Sequence, residues 1–146
     1  MNPLKPLYRI ADALRYRKHG DVGRFGEDLA HRYLRRHGFI VVARNWRPPQ
    51  GGGEIDIIAR EGDWLVFVEV KTRSTRDAFR AEVAVDKDKR VMLRRMARAY
   101  LRQLEGAQQV AVRFDILSVY LVATKRELQL FPAAFGWSEP ESDRWY

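Results

Sequence analysis

The chain has 146 residues, long enough for one domain with a proper core, and carries 27 basic residues against 19 acidic ones for a net charge of +8. With no cysteine it can build neither a disulfide framework nor a thiolate metal site, so a metal would need carboxylates or His, and a reducing cytoplasm is the expected compartment. No window approaches about 18 consecutive apolar residues, and the N-terminal stretch is broken by Pro3, Pro6 and Asp12, so neither a membrane span nor a signal peptide is expected.

Residues 1–20 carry Arg9, Arg15, Arg17 and Lys18 among Leu7, Tyr8, Ile10 and Leu14, and are expected to form a basic extension with a short helix over 10–18. Over 23–37 the apolar residues Phe25, Leu29, Ala30, Tyr33 and Leu34 recur at helical spacing, with Asp21 as the expected N-cap and Gly38 as the C-terminal cap. Glu27 falls on the edge of the apolar face, one step from Ala30, His31 and Leu34, where an acid is unusual; a favourable place in the helix dipole is the other explanation. Asp28 points elsewhere and is the poorer ligand. A strand over 39–46 follows, whose Arg44, with Arg47 just beyond, could meet phosphate. The run Pro48-Pro49-Gln50-Gly51-Gly52-Gly53 then breaks the sheet; it lacks a Gly-Lys-Ser/Thr ending and no helix follows, which excludes a nucleotide cradle.

Residues 53–73 predict a β-hairpin. Gly62-Asp63 separates two runs rich in Ile, Val, Phe and Trp, and Gly first in a two-residue loop suits a type II′ turn. With Glu61 opposite Trp64, Asp56 faces Glu69 and Glu54 faces Lys71, and alternation puts all four on one face with Ile58 and Phe67. Strands disfavour Asp, Glu and Lys, and like charges opposite each other are destabilising unless positive charge lies between them. Two carboxylates about 5 Å apart at Cβ can converge on a hard divalent cation such as Mg²⁺. Lys71 would then reach the attacking water or the scissile phosphate. The alternative is a solvated face with salt bridges, against which Ile58 and Phe67 argue for burial.

Residues 74–85 show little periodicity and are expected to be either a substrate-facing loop or an ordinary crossover. The helix over 86–104 has a core stripe of Leu93, Met96, Ala97, Tyr100, Leu101 and Leu104 and a basic stripe of Lys87, Arg90, Arg94, Arg98 and Arg102; this one-sided charge points to a polyanion. A strand over 110–122 places Asp115 among apolar residues, where it is expected to hold Arg113, Lys71 or a backbone donor. A short edge strand over 128–131 and a loosely ordered tail over 136–146 complete the chain, with Trp137 and Trp145 docking on the surface or on a partner.

Asp56 followed by Glu69-Val70-Lys71 on a second strand resembles the core of the PD-(D/E)XK nuclease superfamily. Together with Gly26-Glu27-Asp28-Leu29-Ala30, Arg44-Asn45-Trp46-Arg47, Gly53-Glu54-Ile55-Asp56, Phe67-Val68-Glu69-Val70-Lys71-Thr72-Arg73 and Arg113-Phe114-Asp115, it resembles the bacterial YraN family, assigned as endonucleases, over residues 20–135. That resemblance implies a helix that brings Glu27 to a metal, and Lys89 matches a lysine of the family's motif at the start of the second helix. Related branches cut four-way junctions, often as dimers, so a branched DNA substrate and a homodimer are expectations of the same kind.

The expected fold is α/β and restriction-endonuclease-like, a mixed β-sheet flanked by helices, with the nuclease-like domain over 21–135. The expected activity is hydrolysis of nucleic-acid phosphodiester bonds, DNA before RNA, with Mg²⁺ or Mn²⁺ held by Asp56, Glu69, the Val70 carbonyl and Glu27, and with Lys71 on the water or the developing charge. Arg47, Arg73, Lys87, Lys89, Arg90, Arg94, Arg98 and Arg102 are expected on the nucleic-acid backbone, which positions without reading sequence. The alternative is a non-catalytic nucleic-acid-binding module of the same fold that acts with a partner protein.

Overall fold

The computed structural model describes residues 22–73, 86–106, 109–122 and 124–139. Within them the elements in chain order are α1 (Val22–Arg36), β1 (Ile40–Trp46), β2 (Ile55–Glu61), β3 (Trp64–Arg73), α2 (Lys87–Leu101), β4 (Ala111–Val122) and β5 (Lys125–Phe135). The expected helix over 10–18, the cap Asp21, the segment 74–85 and the tail beyond 139 lie outside the described residues.

The five strands form one sheet in the order β1-β2-β3-β4-β5. All neighbours run antiparallel except β3 and β4, which are parallel, and a parallel step needs a crossover of the kind that contains α2. The sheet is therefore mixed and the class α/β, as expected. In the hairpin Ile57 lies opposite Val68 and Glu61 opposite Trp64, the register that the Gly62-Asp63 loop predicts. Gly62 has φ 57 while Asp63 stays out of the positive region, as a type II′ turn requires.

Alternation along β3 divides the core between the two faces of the sheet. Val66 and Val68 pack with Ile57, Ala59, Leu117 and Val119 against Ala30 and Leu34 of α1. Leu65 and Phe67 pack with Ile58 and Phe114 against Leu93, Met96, Ala97 and Tyr100 of α2. A central parallel pair covered on both faces is apolar on both, which is why β3 and β4 read as nearly continuous hydrophobic runs.

Two glycines let the helices approach the strands. A Cβ on Gly26 would lie 1.8 Å from Thr72 Oγ1, so α1 rests directly on β3. A Cβ on Gly53 would lie 2.3 Å from Met92 Sδ, so α2 rests on the chain that leads into β2. Helix α2 starts at Asp86, whose side chain accepts the Asp88 amide hydrogen. The last strand is longer than the expected 128–131, and Pro132 interrupts its apolar pattern. At that point Ala133 has φ 50 and donates its amide to the Asp115 carboxylate, while the β4–β5 register slips between Phe114 and Ile116. Asp115, 0% exposed, thus replaces the ladder at a bulge, and Arg113 holds it through Nε and Nη2 at 2.8 Å each. Its role is structural, and of the three expected partners it holds two, Arg113 and a backbone donor.

Candidate metal centre

Asp56 stands at the start of β2, and its Oδ2 accepts the Val70 amide of β3 at 2.9 Å. Beside it Glu69 is 7% exposed. Lys89 of α2 forms an ion pair with Glu69 Oε1 at 3.2 Å, whereas Oε2 is buried with no hydrogen-bond partner among the described residues. Burial first, and then the charge of Glu69, push the Asp56 carboxyl from 3.8 up to about 7, against the pull of the Val70 amide and Lys89.

Glu27 and Glu54 also reach Asp56. The contact of Gly26 with Thr72 brings the first turns of α1 to the strand that carries Glu69, and the turn closed by the Gly51 amide on the Pro48 carbonyl at 2.9 Å precedes Glu54. One carboxylate oxygen each from Glu27, Glu54 and Asp56 lie within 4.8 Å of one another, and all three residues are half-buried. Burial and the charge of Asp56 raise the Glu27 carboxyl above its ordinary value. Asn45 joins the group from β1: with its amide nitrogen turned inward it donates to Glu54 Oε1 at 3.0 Å and Glu27 Oε2 at 2.9 Å. Such a set of acids could hold a metal ion. Asp56 is common to both groups, with Glu69 in one and Glu27 and Glu54 in the other.

Lys71, two residues beyond Glu69, is half-buried, stands beside Ser118 of β4 in the parallel ladder and makes no ion pair among the described residues. The expected phosphate contacts divide. Arg44 is paired with Asp28 at 2.7 Å, and exposed Arg47 with Glu54. Arg90 and Arg94 both bind Glu139 Oε1 at 2.9 Å, and Arg94 also donates to the Gly136 carbonyl at 2.7 Å and lies over the Phe135 ring. Arg94, 6% exposed, is therefore engaged inside the chain, whereas Lys87, Arg98 and Arg102 remain at the surface. Arg98 stacks over Trp137, which meets Phe114 edge-on at 4.9 Å. The first residues of the expected loose tail are thus docked, because three arginines of α2 and a core phenylalanine hold them.

Three features were not read from the sequence. Glu54, expected on the acidic face only as the residue opposite Lys71, joins Glu27 and Asp56 as a candidate ligand, Asn45 links Glu54 to Glu27 from a positive φ of 49, and Lys89 meets Glu69 instead of facing outward. The spacing of Glu54 from Asp56 was the available signal for the first; the others depend on long-range packing.

The sequence profile of an uncharacterised protein family, UPF0102, matches residues 26–119, which include Glu27, Glu54, Asp56, Glu69, Lys71 and Lys89. A UPF0102 protein of Solibacter usitatus (strain Ellin6076) is 54% identical over 82% of this chain and 91% of its own length. Another, of Koribacter versatilis (strain Ellin345), is 51% identical over 81% of each chain, and one of Dictyoglomus thermophilum is 39% identical over 69% of this chain and 83% of its own. No helix among the described residues is long and apolar enough to cross a membrane.

Proposed function

This chain belongs to the uncharacterised protein family UPF0102, and from the acids that its matched region brings together we propose that it is a divalent-metal-dependent endonuclease, cutting DNA and, by resemblance to junction-cutting nucleases, branched DNA first. The observation that carries this is the state of Glu69. It is a buried carboxylate with one oxygen paired to Lys89 and the other without a hydrogen-bond donor among the described residues, next to a second acid whose carboxyl its charge pushes upward. Buried polar atoms are normally satisfied, and neighbouring carboxylates repel, so the arrangement suits ligands of a cation better than a structural ion pair.

The residues fit Mg²⁺ or Mn²⁺, which take oxygen ligands and keep several waters. Asp56, Glu69 and the Val70 carbonyl would hold the ion, with Glu27 and Glu54 beside it, and once bound it supplies an acidified water and neutralises phosphate charge. Around it the chain does the rest. The Val70 amide fixes Asp56 Oδ2, Asn45 fixes Glu27 and Glu54, and Lys71 orients the attacking water or meets charge on the scissile phosphate. Lys87, Arg98 and Arg102 hold the backbone of the nucleic acid without reading its sequence.

The test is incubation with Mg²⁺ or Mn²⁺ on linear, single-stranded and four-way-junction DNA and on RNA, beside Glu69→Ala and Lys71→Ala. Metal-dependent cutting lost in both variants supports the proposal and names the substrate. Intact substrates throughout, with equal DNA binding by all three proteins, would replace it with a non-catalytic binding module.

A further inference from the structure

Lys89 sits in the first turn of α2, where a cation meets the positive end of the helix dipole. Asp86 and Asp88 in the same turn offset part of that cost, but Lys87 adds to it. Lys89 nevertheless turns toward the sheet and forms an ion pair with Glu69 Oε1 at 3.2 Å. Its side chain is 38% exposed while that of Glu69 is 8% exposed, so the lysine reaches from the surface to a carboxylate that is nearly closed off from water.

The same stretch of helix is fixed at a second point. Met92 and Met96 pack where Gly53 lacks a side chain, immediately before Glu54 and two residues before β2 begins. Helix α2 therefore touches the site twice, at Glu69 on β3 and at the entry to β2. With Oε1 paired to Lys89, the oxygen left over is Oε2, the buried one without a hydrogen-bond donor among the described residues.

Resting on the metal site proposed above, we propose that Lys89 is a positioning residue for Glu69: it takes Oε1 and so presents Oε2 to the cation, instead of lying on the nucleic-acid backbone with the rest of the helix. The two roles differ in their effect on the ion itself. A lysine that only adds positive charge beside the site repels the cation, and its removal strengthens metal binding. A lysine that holds the ligand does the opposite, since loss of an outer partner of a metal ligand typically weakens affinity about tenfold to a hundredfold.

The experiment is calorimetric titration with Mn²⁺, at fixed pH and salt, of the full chain and of Lys89→Met, Lys89→Arg and Glu69→Gln, each checked for an unchanged melting transition in EDTA. Positioning predicts that Lys89→Met binds Mn²⁺ at least about tenfold more weakly, that Lys89→Arg keeps most of the affinity, and that DNA binding without metal is unchanged in both. Tighter or equal Mn²⁺ binding by Lys89→Met, with the chain itself binding Mn²⁺ through Glu69, would overturn the role of Lys89 and leave the metal site standing. Absence of Mn²⁺ binding by the unaltered chain, with Glu69→Gln indistinguishable from it, would overturn both. If Lys89→Met melts early, Lys89→Gln decides: it removes the charge and keeps a hydrogen-bond donor, so Mn²⁺ affinity no higher than that of the unaltered chain supports positioning, and tighter binding overturns it.

Discussion

Asp56 accepts the backbone amide of Val70 at 2.9 Å, which fastens the acid of β2 to β3 between Glu69 and Lys71. That bond favours the ionised carboxylate, yet burial and the charge of Glu69 outweigh it and lift the carboxyl to about 7. The folded value lies above the unfolded one, so the protonated form contributes stability at low pH that is lost as pH rises from 3.8 to about 7. Glu27 is shifted in the same direction. Melting in EDTA is therefore expected to fall in temperature across this window, and Asp56→Asn to flatten the fall. Mn²⁺ binding needs the ionised acid, so its affinity should climb through about 7. A melting temperature and an affinity both independent of pH there would contradict the buried pair of acids.

Gly26 leaves no room for a side chain: a Cβ would stand 1.8 Å from Thr72 Oγ1. Gly26→Ala must push α1 off β3, at a cost of about 1–3 kcal/mol by overpacking, and carry Glu27 away from Asp56. Denaturant unfolding should show the loss of stability and titration with Mn²⁺ a weaker site. Adding Thr72→Ala removes the hydroxyl in the way, so the double variant should be more stable than the two single effects combined predict.

Asp115 joins Arg113 to the Ala133 amide at the β4–β5 bulge and is fully buried. Asp115→Ala leaves the guanidinium half-paired with Glu61 and should destabilise the fold by about 3–5 kcal/mol. Among the protein that remains folded, Mn²⁺ affinity should be unaltered, because Asp115 is no part of the acid cluster. A change in affinity without a change in stability would reverse that assignment.

Lys71 carries its proposed role through the reaction and not through the ion. Lys71→Ala should keep Mn²⁺ affinity while cutting slows by at least about a hundredfold, the scale seen when one donor to developing charge is removed. Parallel calorimetry and single-turnover cleavage separate the two effects.

Much of this was legible because the hairpin has one register. The Gly62-Asp63 loop fixes which residues face each other, and the pairing from Glu61–Trp64 to Ile57–Val68 continues in the direction of Asp56 and Glu69. Periodicity sufficed for α1 and α2, whose apolar stripes meet opposite faces of the sheet. Strand β5 was underestimated because Pro132 breaks its pattern, and only the contact of Asp115 with Ala133 explains how the strand continues. The basic stripe of α2 was read by composition alone, and composition does not reveal that Glu139 and Gly136 return to bind Arg90 and Arg94. Lys89 was legible as a charge but not as a neighbour of Glu69, since that contact depends on where α2 lands.

Whether Asp56 and Glu69 share one cation is decided by anomalous scattering from a crystal of the protein soaked in Mn²⁺. The expected peak lies in contact with carboxylate oxygens of both residues, Glu69 contributing Oε2. A peak held by Glu27 and Glu54 without Glu69, or no peak in this cluster at saturating Mn²⁺, would contradict it.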